Sequence, residues 1–138
     1  MNRSKIWLVY SAILVAQIAA ASAQGLSCNL PQKAMLEIDL LFGRNIGGRL
    51  GVTDARWRMF LAREVTPRFP DGLTVFDAYG QWRDGKRKTI VREPSKIVRI
   101  ITTDADAQTK IDAVVEAYKR RFRQQSVGVV TRPACVSF

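Results

Sequence analysis

Apolar and polar side chains alternate along residues 35–42, MLEIDLLF, and this pattern predicts a β-strand with one buried face. The even positions are apolar, whereas Glu37 and Asp39 occupy the other face. The segment GRNIGGRLG then predicts a glycine-rich loop. Thr53 is placed to cap a helix that Pro67 ends, because apolar residues between them recur at helical spacing. These residues are Trp57, Phe60, Leu61 and Val65.

Three further strands and one long helix are predicted in the second half of the chain. Residues 73–82, LTVFDAYGQW, predict a strand, and Asp84-Gly85 turns the chain back into KTIV and KIVRII. We expect Pro94 to interrupt this returning strand. The clearest helical stripe follows, and SVGVV supplies a last strand before Pro133. The stripe consists of Ile111, Val114, Val115, Tyr118 and Phe122.

The element order is strand, helix, strand, strand, helix, strand. Right-handed crossovers fold this order into a four-stranded antiparallel sheet with both helices on one face, which is a ferredoxin-like α+β sandwich. Residues 24–138 are predicted to form this single domain, since no linker or repeat divides them. The other face of such a sheet is open, so we expect it to be polar, to bind a ligand or to pack on a partner.

The N-terminus predicts export from the cytoplasm. Arg3 and Lys5 precede an uncharged apolar run over residues 6–21, which closes on Ala-Ser-Ala at 21–23. This pattern predicts a signal peptide over residues 1–23 and a periplasmic or secreted protein that begins at Gln24. A retained membrane anchor is the alternative, although the run is shorter than the ~20 residues that a spanning helix needs.

Two cysteines, Cys28 and Cys135, lie near the two ends of the predicted mature chain. An even number of cysteines in an oxidising compartment indicates a disulfide between them. Lipid attachment at Cys28 is the alternative. Against it, Gly25 stands where a lipoprotein signal places a large aliphatic residue, three positions before the cysteine.

The chain carries a net charge of +10, and the predicted signal peptide holds only two of its cations. Outside the cytoplasm nucleic acid is scarce, so we expect anionic lipid or acidic polysaccharide of the cell envelope as the partner and no nucleic acid. A solubilising role for the charge is the alternative. Two basic groups stand out, a tip cluster in the predicted hairpin and a helix-end cluster. The tip cluster is Arg83, Lys86, Arg87 and Lys88, and the helix-end cluster is Lys119, Arg120, Arg121 and Arg123.

The composition also excludes several chemistries. The sequence contains no histidine, which removes histidine-based triads, histidine general bases and nearly every zinc site. It has neither a phosphate-loop lysine motif nor a dinucleotide glycine fingerprint, so we expect no metal and no cofactor. Carboxylate, tyrosine, lysine and arginine chemistry remains, together with simple binding.

The strand at 73–82 supplies the candidate site, but either of its faces can point toward the helices. We favour Phe76, Ala78 and Trp82 inward, which places a polar set on the open face near Glu37. The set can bind a polar ligand, support acid–base chemistry, form an ion-pair network or contribute to a homodimer interface through the open sheet face. It consists of Asp39, Asp77, Tyr79, Gln81 and Arg99.

A second candidate is the glycine-rich loop before the first helix. Arg44 and Arg49 lie in it, next to a predicted helix N-terminus, so they are candidates for binding an anion. Asp54 competes for this role, because it already supplies negative charge to the helix dipole.

Four blocks in this chain carry a resemblance to a known family. LLFGR at 40–44, TPRFPDGLTVFDAYGQWRD at 66–84, EPSKIV at 93–98 and the terminal ACVSF resemble the bacterial domain-of-unknown-function family numbered 3574. The resemblance runs from about Leu40 to Phe138, and it implies a small exported protein, in some members a lipoprotein. The family has no established activity, so the resemblance implies no catalytic residue.

The sequence therefore predicts an exported, non-catalytic binding or interaction module for an anionic envelope component or a protein partner. The alternative is a small enzyme of the dimeric α+β barrel type with a carboxylate–tyrosine site on the open sheet face.

Overall fold

The computed structural model describes residues 27–138, so the predicted signal peptide and its cleavage site lie outside the described residues. The described elements follow the predicted order. They are β1 (Lys33–Gly43), β2 (Asn45–Ile46), β3 (Arg49–Leu50), α1 (Asp54–Phe60) with a π-helical turn (Leu61–Val65), β4 (Thr74–Arg83), β5 (Ile90–Thr102), α2 (Ala107–Phe122) and β6 (Gly128–Val136).

The four long strands form one antiparallel sheet in the order β4-β5-β1-β6. This confirms a mixed α/β domain with a four-stranded antiparallel sheet and two helices. β1 and β5 are the central strands, with Ile38 opposite Ile100 and Leu40 opposite Val98. All four of these side chains are buried, so the centre of the sheet is the floor of the core.

Both helices cover the same face of the sheet. Phe42 of β1 lies against Tyr118 of α2, with ring centroids 4.7 Å apart, and against Trp57 of α1 at 5.2 Å. The Tyr118 hydroxyl donates to the carbonyl of Gly43 over 2.8 Å, which joins α2 to the end of β1. Thr53 caps α1 as predicted, because its side chain accepts from the Arg56 amide.

The prediction that Pro94 interrupts its strand is wrong, since β5 continues through it. The Pro94 carbonyl accepts from the Arg44 amide over 3.1 Å. In an extended strand the nitrogen and carbonyl of one residue point to the same side. The proline nitrogen therefore faces the β1 side of the strand, where β1 has already ended at Gly43. Since this nitrogen does not point toward β4, the proline costs no hydrogen bond between β4 and β5. β6 likewise runs past Pro133, which an edge strand tolerates.

The favoured orientation of β4 is also wrong. Val75 lies opposite Val98 and Asp77 opposite Lys96, and both of those β5 residues are buried under the helices. Residues directly opposite each other share a face, so the odd positions of β4 point to the helix side. Phe76, Ala78 and Trp82 therefore lie on the open face, whereas Asp77, Tyr79 and Gln81 lie on the other face.

The glycine-rich loop is more ordered than predicted. β2 and β3 pair as a small hairpin in which Ile46 lies opposite Arg49. Gly47 and Gly48 form its two-residue turn, and both have positive φ, 60° and 82°. Such a turn favours glycine at both central positions, which explains this Gly-Gly pair.

Cys28 and Cys135 form a disulfide, as predicted. Cys135 lies opposite Ala34, so the bond ties the segment before β1 to the neighbouring strand β6. Within residues 27–138, no helix has both the length and the apolar character needed to cross a membrane.

Candidate functional site

A cleft of about 690 Å³ lies at one end of the open sheet face. It forms here because β1 stops at Gly43, whereas β4 and β5 continue into their hairpin. The β2–β3 hairpin and the loop after α2 border the space that β1 leaves. The residues of the floor are small or aliphatic, and they come from all four long strands. They are Leu41, Gly43, Ala78, Gly80, Ser95, Ile97 and Gly128.

The carboxylate of Glu93 is held in a fixed position in this cleft. The Trp82 indole donates to Oε1 over 3.0 Å, and the backbone amide of Asn45 donates to Oε2 over 3.1 Å. Gly43 provides the room, because a Cβ at that position would come within 2.7 Å of Oε1. The result is an oriented acceptor next to the half-exposed indole ring of Trp82.

Glycine keeps the floor of the cleft low. A Cβ at Gly80 would meet the Ser95 hydroxyl at 2.9 Å, and one at Gly128 would meet the Cβ of Leu41 at 3.2 Å. Glycine inside a strand often marks a place where a ligand or another backbone approaches closely. At its glycine positions the floor therefore offers backbone, with the Ser95 hydroxyl beside Gly80.

Each of the two basic clusters contributes one arginine to the lining of the cleft. Arg87 of the tip cluster and Arg123 of the helix-end cluster both line it. Arg87 is oriented by Asp84, whose Oδ1 accepts from the amides of Arg87 and Lys86 and whose Oδ2 lies 4.0 Å from the Arg87 Nε. The hydrogen bond from the Arg87 amide contributes most to lowering the pKa of Asp84, and the one from the Lys86 amide contributes next. The Gln124 side chain donates to the Asn45 carbonyl over 2.7 Å and fixes the loop beside Arg123.

Two of the predicted site residues come together at the centre of the open face. Arg99 binds Asp39 through two parallel hydrogen bonds of 2.8 Å each and also lies 2.8 Å from Glu37. Arg132 of β6 completes the network, at 2.6 Å from Glu37 and 3.5 Å from Asp39. Because Arg99 donates to it, the pKa of Asp39 lies below its usual value. Sequence reasoning missed Arg132, since the predicted strand ended before Pro133.

The other three predicted site residues do not join this network. Asp77 lies on the helix side of β4 and pairs with the amino group of Lys96. That amino group also lies 3.7 Å from Asp54, so the lysine is held between two carboxylates. Tyr79 is exposed, and it lines the cleft together with Gln81. A carboxylate–tyrosine site on the open face therefore has no geometric basis in Asp77 and Tyr79.

The predicted anion loop is also built differently. Arg44 is buried, and its Nε donates to the Val52 carbonyl while its Nη2 donates to Asp54, both over 2.8 Å. Its guanidinium thus ties the loop to the start of α1 and is already neutralised by Asp54. Arg49 lies exposed on β3. Among residues 27–138, no three histidine, cysteine or acidic side chains are grouped closely enough to hold a metal ion.

Comparison with known proteins identifies a family and a fold. A family model described as "Protein of unknown function (DUF3574)" matches residues 37–138. No curated protein matches the sequence. The structure is similar to a phage SAM lyase in complex with S-methyl-5'-thioadenosine, with a TM-score of 0.60 at 16% identity over 75% of this chain and 90% of that chain.

Two further solved structures are similar. The phage SAM lyase in its apo state gives a TM-score of 0.57 at 18% identity over 75% of this chain and 86% of that chain. CutA from Synechococcus elongatus gives 0.49 at 11% identity over 75% and 80%. At these identities the likeness concerns the fold alone.

Proposed function

Because the chain belongs to the DUF3574 family of unknown function, we propose its role from the cleft itself. The protein is an exported, non-catalytic binding domain of ferredoxin-like α+β fold. Its ligand is an anionic component of the cell envelope, which the cleft between the β4–β5 hairpin and the end of α2 receives.

One observation carries this proposal, the convergence of both basic clusters on one cleft. Arg87 and Arg123 come from segments that are far apart in the chain, yet both line the same space. Each stands within a run of further cations, and the potentials of neighbouring charges add over a surface. An anionic group at this rim is therefore attracted by both clusters at once.

The interior of the cleft favours a polar ligand that also bears hydroxyl groups. The indole of Trp82 supplies an apolar surface, whereas the side chains of Asn45, Gln125 and Ser126 supply hydrogen-bonding groups. An aromatic wall with a few neutral polar groups is typical of small-molecule and headgroup sites. Sugar-phosphate and acidic-sugar chemistry has both features, whether it is carried by a lipid headgroup or by a polysaccharide.

The disulfide supports the exported location. A disulfide between Cys28 and Cys135 persists in an oxidising compartment such as the periplasm or the extracellular space. The signal-peptide pattern in residues 1–23 points to the same compartment.

Binding of the purified protein to defined anionic surfaces tests this function. We expect binding to phosphatidylglycerol-containing vesicles or to an acidic polysaccharide but not to phosphatidylcholine vesicles, and these two anionic arms distinguish the sources. Binding should weaken as salt rises, because exposed charges are screened over about 8 Å at physiological ionic strength.

Substitutions at the rim locate the site. Arg87→Gln and Arg123→Gln should each weaken binding several-fold more than Arg63→Gln, an exposed arginine on the π-helical turn that does not line the cleft. Equal losses in all three variants, or binding that ignores salt and vesicle charge, would show that the cleft is not the site.

A further inference from the structure

None of the elements described within residues 27–138 covers the face of the sheet opposite the helices, although apolar side chains cross it. Phe76 of β4 lies opposite Ile97 of β5, which in turn lies opposite Leu41 of β1. Phe76 and Leu41 are exposed, at 42% and 39%. A contiguous apolar row on an open surface marks an interaction site, unlike scattered single residues. We propose that this face is the interface between two copies of this chain.

The charge on this face explains why the partner is a second copy. Glu37, Asp39, Arg99 and Arg132 form a network in which two carboxylates balance two guanidiniums. A two-fold interface brings the same patch against itself, so a patch with net charge repels its own copy. The balanced network escapes this repulsion in a chain whose net charge is +10.

The exposed parts of the network suit a stacked interface. Its arginine side chains are 36% and 46% exposed, whereas the two carboxylate side chains beneath them are only 14% and 13% exposed. The guanidinium of Arg99 already lies 5.6 Å from the centre of the Phe76 ring. Flat guanidinium and aromatic surfaces pack well against each other, and arginine and aromatic residues are enriched in interfaces.

The size of the face is sufficient for a stable pair. Four strands spaced about 4.8 Å apart give a width of roughly 19 Å, and eleven residues of β1 extend about 36 Å. This footprint of roughly 700 Å² approaches the ~800 Å² per partner of a standard interface. Leu41 and Ile97 of this row also line the floor of the cleft, whereas Phe76 does not, so the dimer contact adjoins the proposed ligand site and the two are tested separately.

Two neighbouring valines provide a matched pair of variants. Val130 of β6 lies opposite Asp39 on the open face and is 44% exposed, whereas Val129 lies opposite Leu40 on the helix side and is 42% exposed. We expect the wild-type protein to sediment as a dimer at about 100 μM, where an interface of micromolar affinity is almost fully formed. Val130→Glu should weaken the dimer at least about tenfold, because a new carboxylate meets the covered acids and its own copy.

Val129→Glu should leave the dimer intact. Circular dichroism verifies that both variants fold, and if Val130→Glu unfolds, the exposed open-face residue Thr74 replaces it as Thr74→Arg. A wild-type protein that remains monomeric at about 100 μM would overturn the proposal. The proposal would also be overturned if Val129→Glu disrupted the dimer while the open-face variants left it unchanged. Anion binding by the monomeric variants would leave the proposed function standing, which separates the two claims.

Discussion

Tyr118 connects the core to the cleft through a single hydroxyl. The side chain is buried among aromatic rings, and its hydroxyl donates to the carbonyl of Gly43 at the point where β1 ends. Burial raises the pKa of this phenol, so the hydroxyl keeps its proton and remains a donor. Gly43 also leaves room for the Glu93 carboxylate in the cleft. The Tyr118 hydrogen bond therefore holds the backbone that positions this carboxylate.

Two tyrosine substitutions test this role. Tyr118→Phe should lower the free energy of unfolding by about 1–2 kcal/mol, because the Gly43 carbonyl loses its donor inside the protein. Tyr79→Phe is the matched control and should change stability very little, since Tyr79 is 70% exposed. Urea denaturation of both variants gives the comparison, and equal losses would contradict the assigned role of the Tyr118 hydroxyl.

At the scale of the elements, the ion network joins three strands on the open face. Glu37 and Asp39 of β1, Arg99 of β5 and Arg132 of β6 bind across two strand pairs. Cross-strand ion pairs stabilise a sheet only while the carboxylates are ionised. The stability of the sheet is therefore tied to pH through β1.

Acid should weaken the fold, and the sign follows from Asp39. Its folded pKa lies below the ordinary value of 3.8, so the stabilisation is complete above that value and is lost as the pH falls through the folded pKa. We expect the loss of stability between pH 5 and lower pH to be smaller in Asp39→Asn than in the wild type. Asp71→Asn, in an exposed turn, is the control, and identical pH profiles for Asp39→Asn and the wild type would refute the linkage.

The same elements show what the sequence could predict. The order and type of the long elements were predictable, because the core stripes of β1 and α2 are strongly periodic. The orientation of β4 was not, because it is an edge strand whose two faces are both partly exposed, as Phe76 and Tyr79 show. The effect of Pro94 depends on where β1 ends, which no local pattern reveals.

The cleft could be predicted only in part. Its basic rim was visible as two charge clusters, but nothing in the linear sequence indicated that Arg87 and Arg123 line the same cleft. The contact of Glu93 with Trp82 and Asn45 depends on strand register and on the early end of β1. Sequence therefore identified the charges of this site, and topology brought them together.

At the scale of the whole molecule, the fold separates two kinds of surface. The open face carries the balanced network and the apolar row, whereas the tip cluster and the helix-end cluster lie at the hairpin and the end of α2. A dimer through the open face would leave both clusters available to an anionic surface. The disulfide closes the whole domain, since the paired positions are separated by 107 in the sequence.

Breaking this crosslink should destabilise the entire domain. Restricting a loop of ~100 residues in the unfolded chain is worth at most about 4.7 kcal/mol in the chain-entropy model, which is a large share of the stability of a small domain. The double variant Cys28→Ala/Cys135→Ala should therefore melt at a lower temperature than the wild type. Adding a reductant should lower the melting temperature of the wild type and leave that of the double variant unchanged, and any shared response to reductant would point to another cause.

The positions of the two cysteines also fix when the bond can form during biosynthesis. Cys135 is synthesised 107 positions after Cys28, so β1 to β5 and both helices have been made before both thiols exist. Oxidation must therefore act on a domain whose helices and first five strands have already been synthesised. A protein exported through a membrane before folding would acquire its crosslink only after the whole segment between the two cysteines had passed, and a reduced copy left behind in the cytoplasm would lack it.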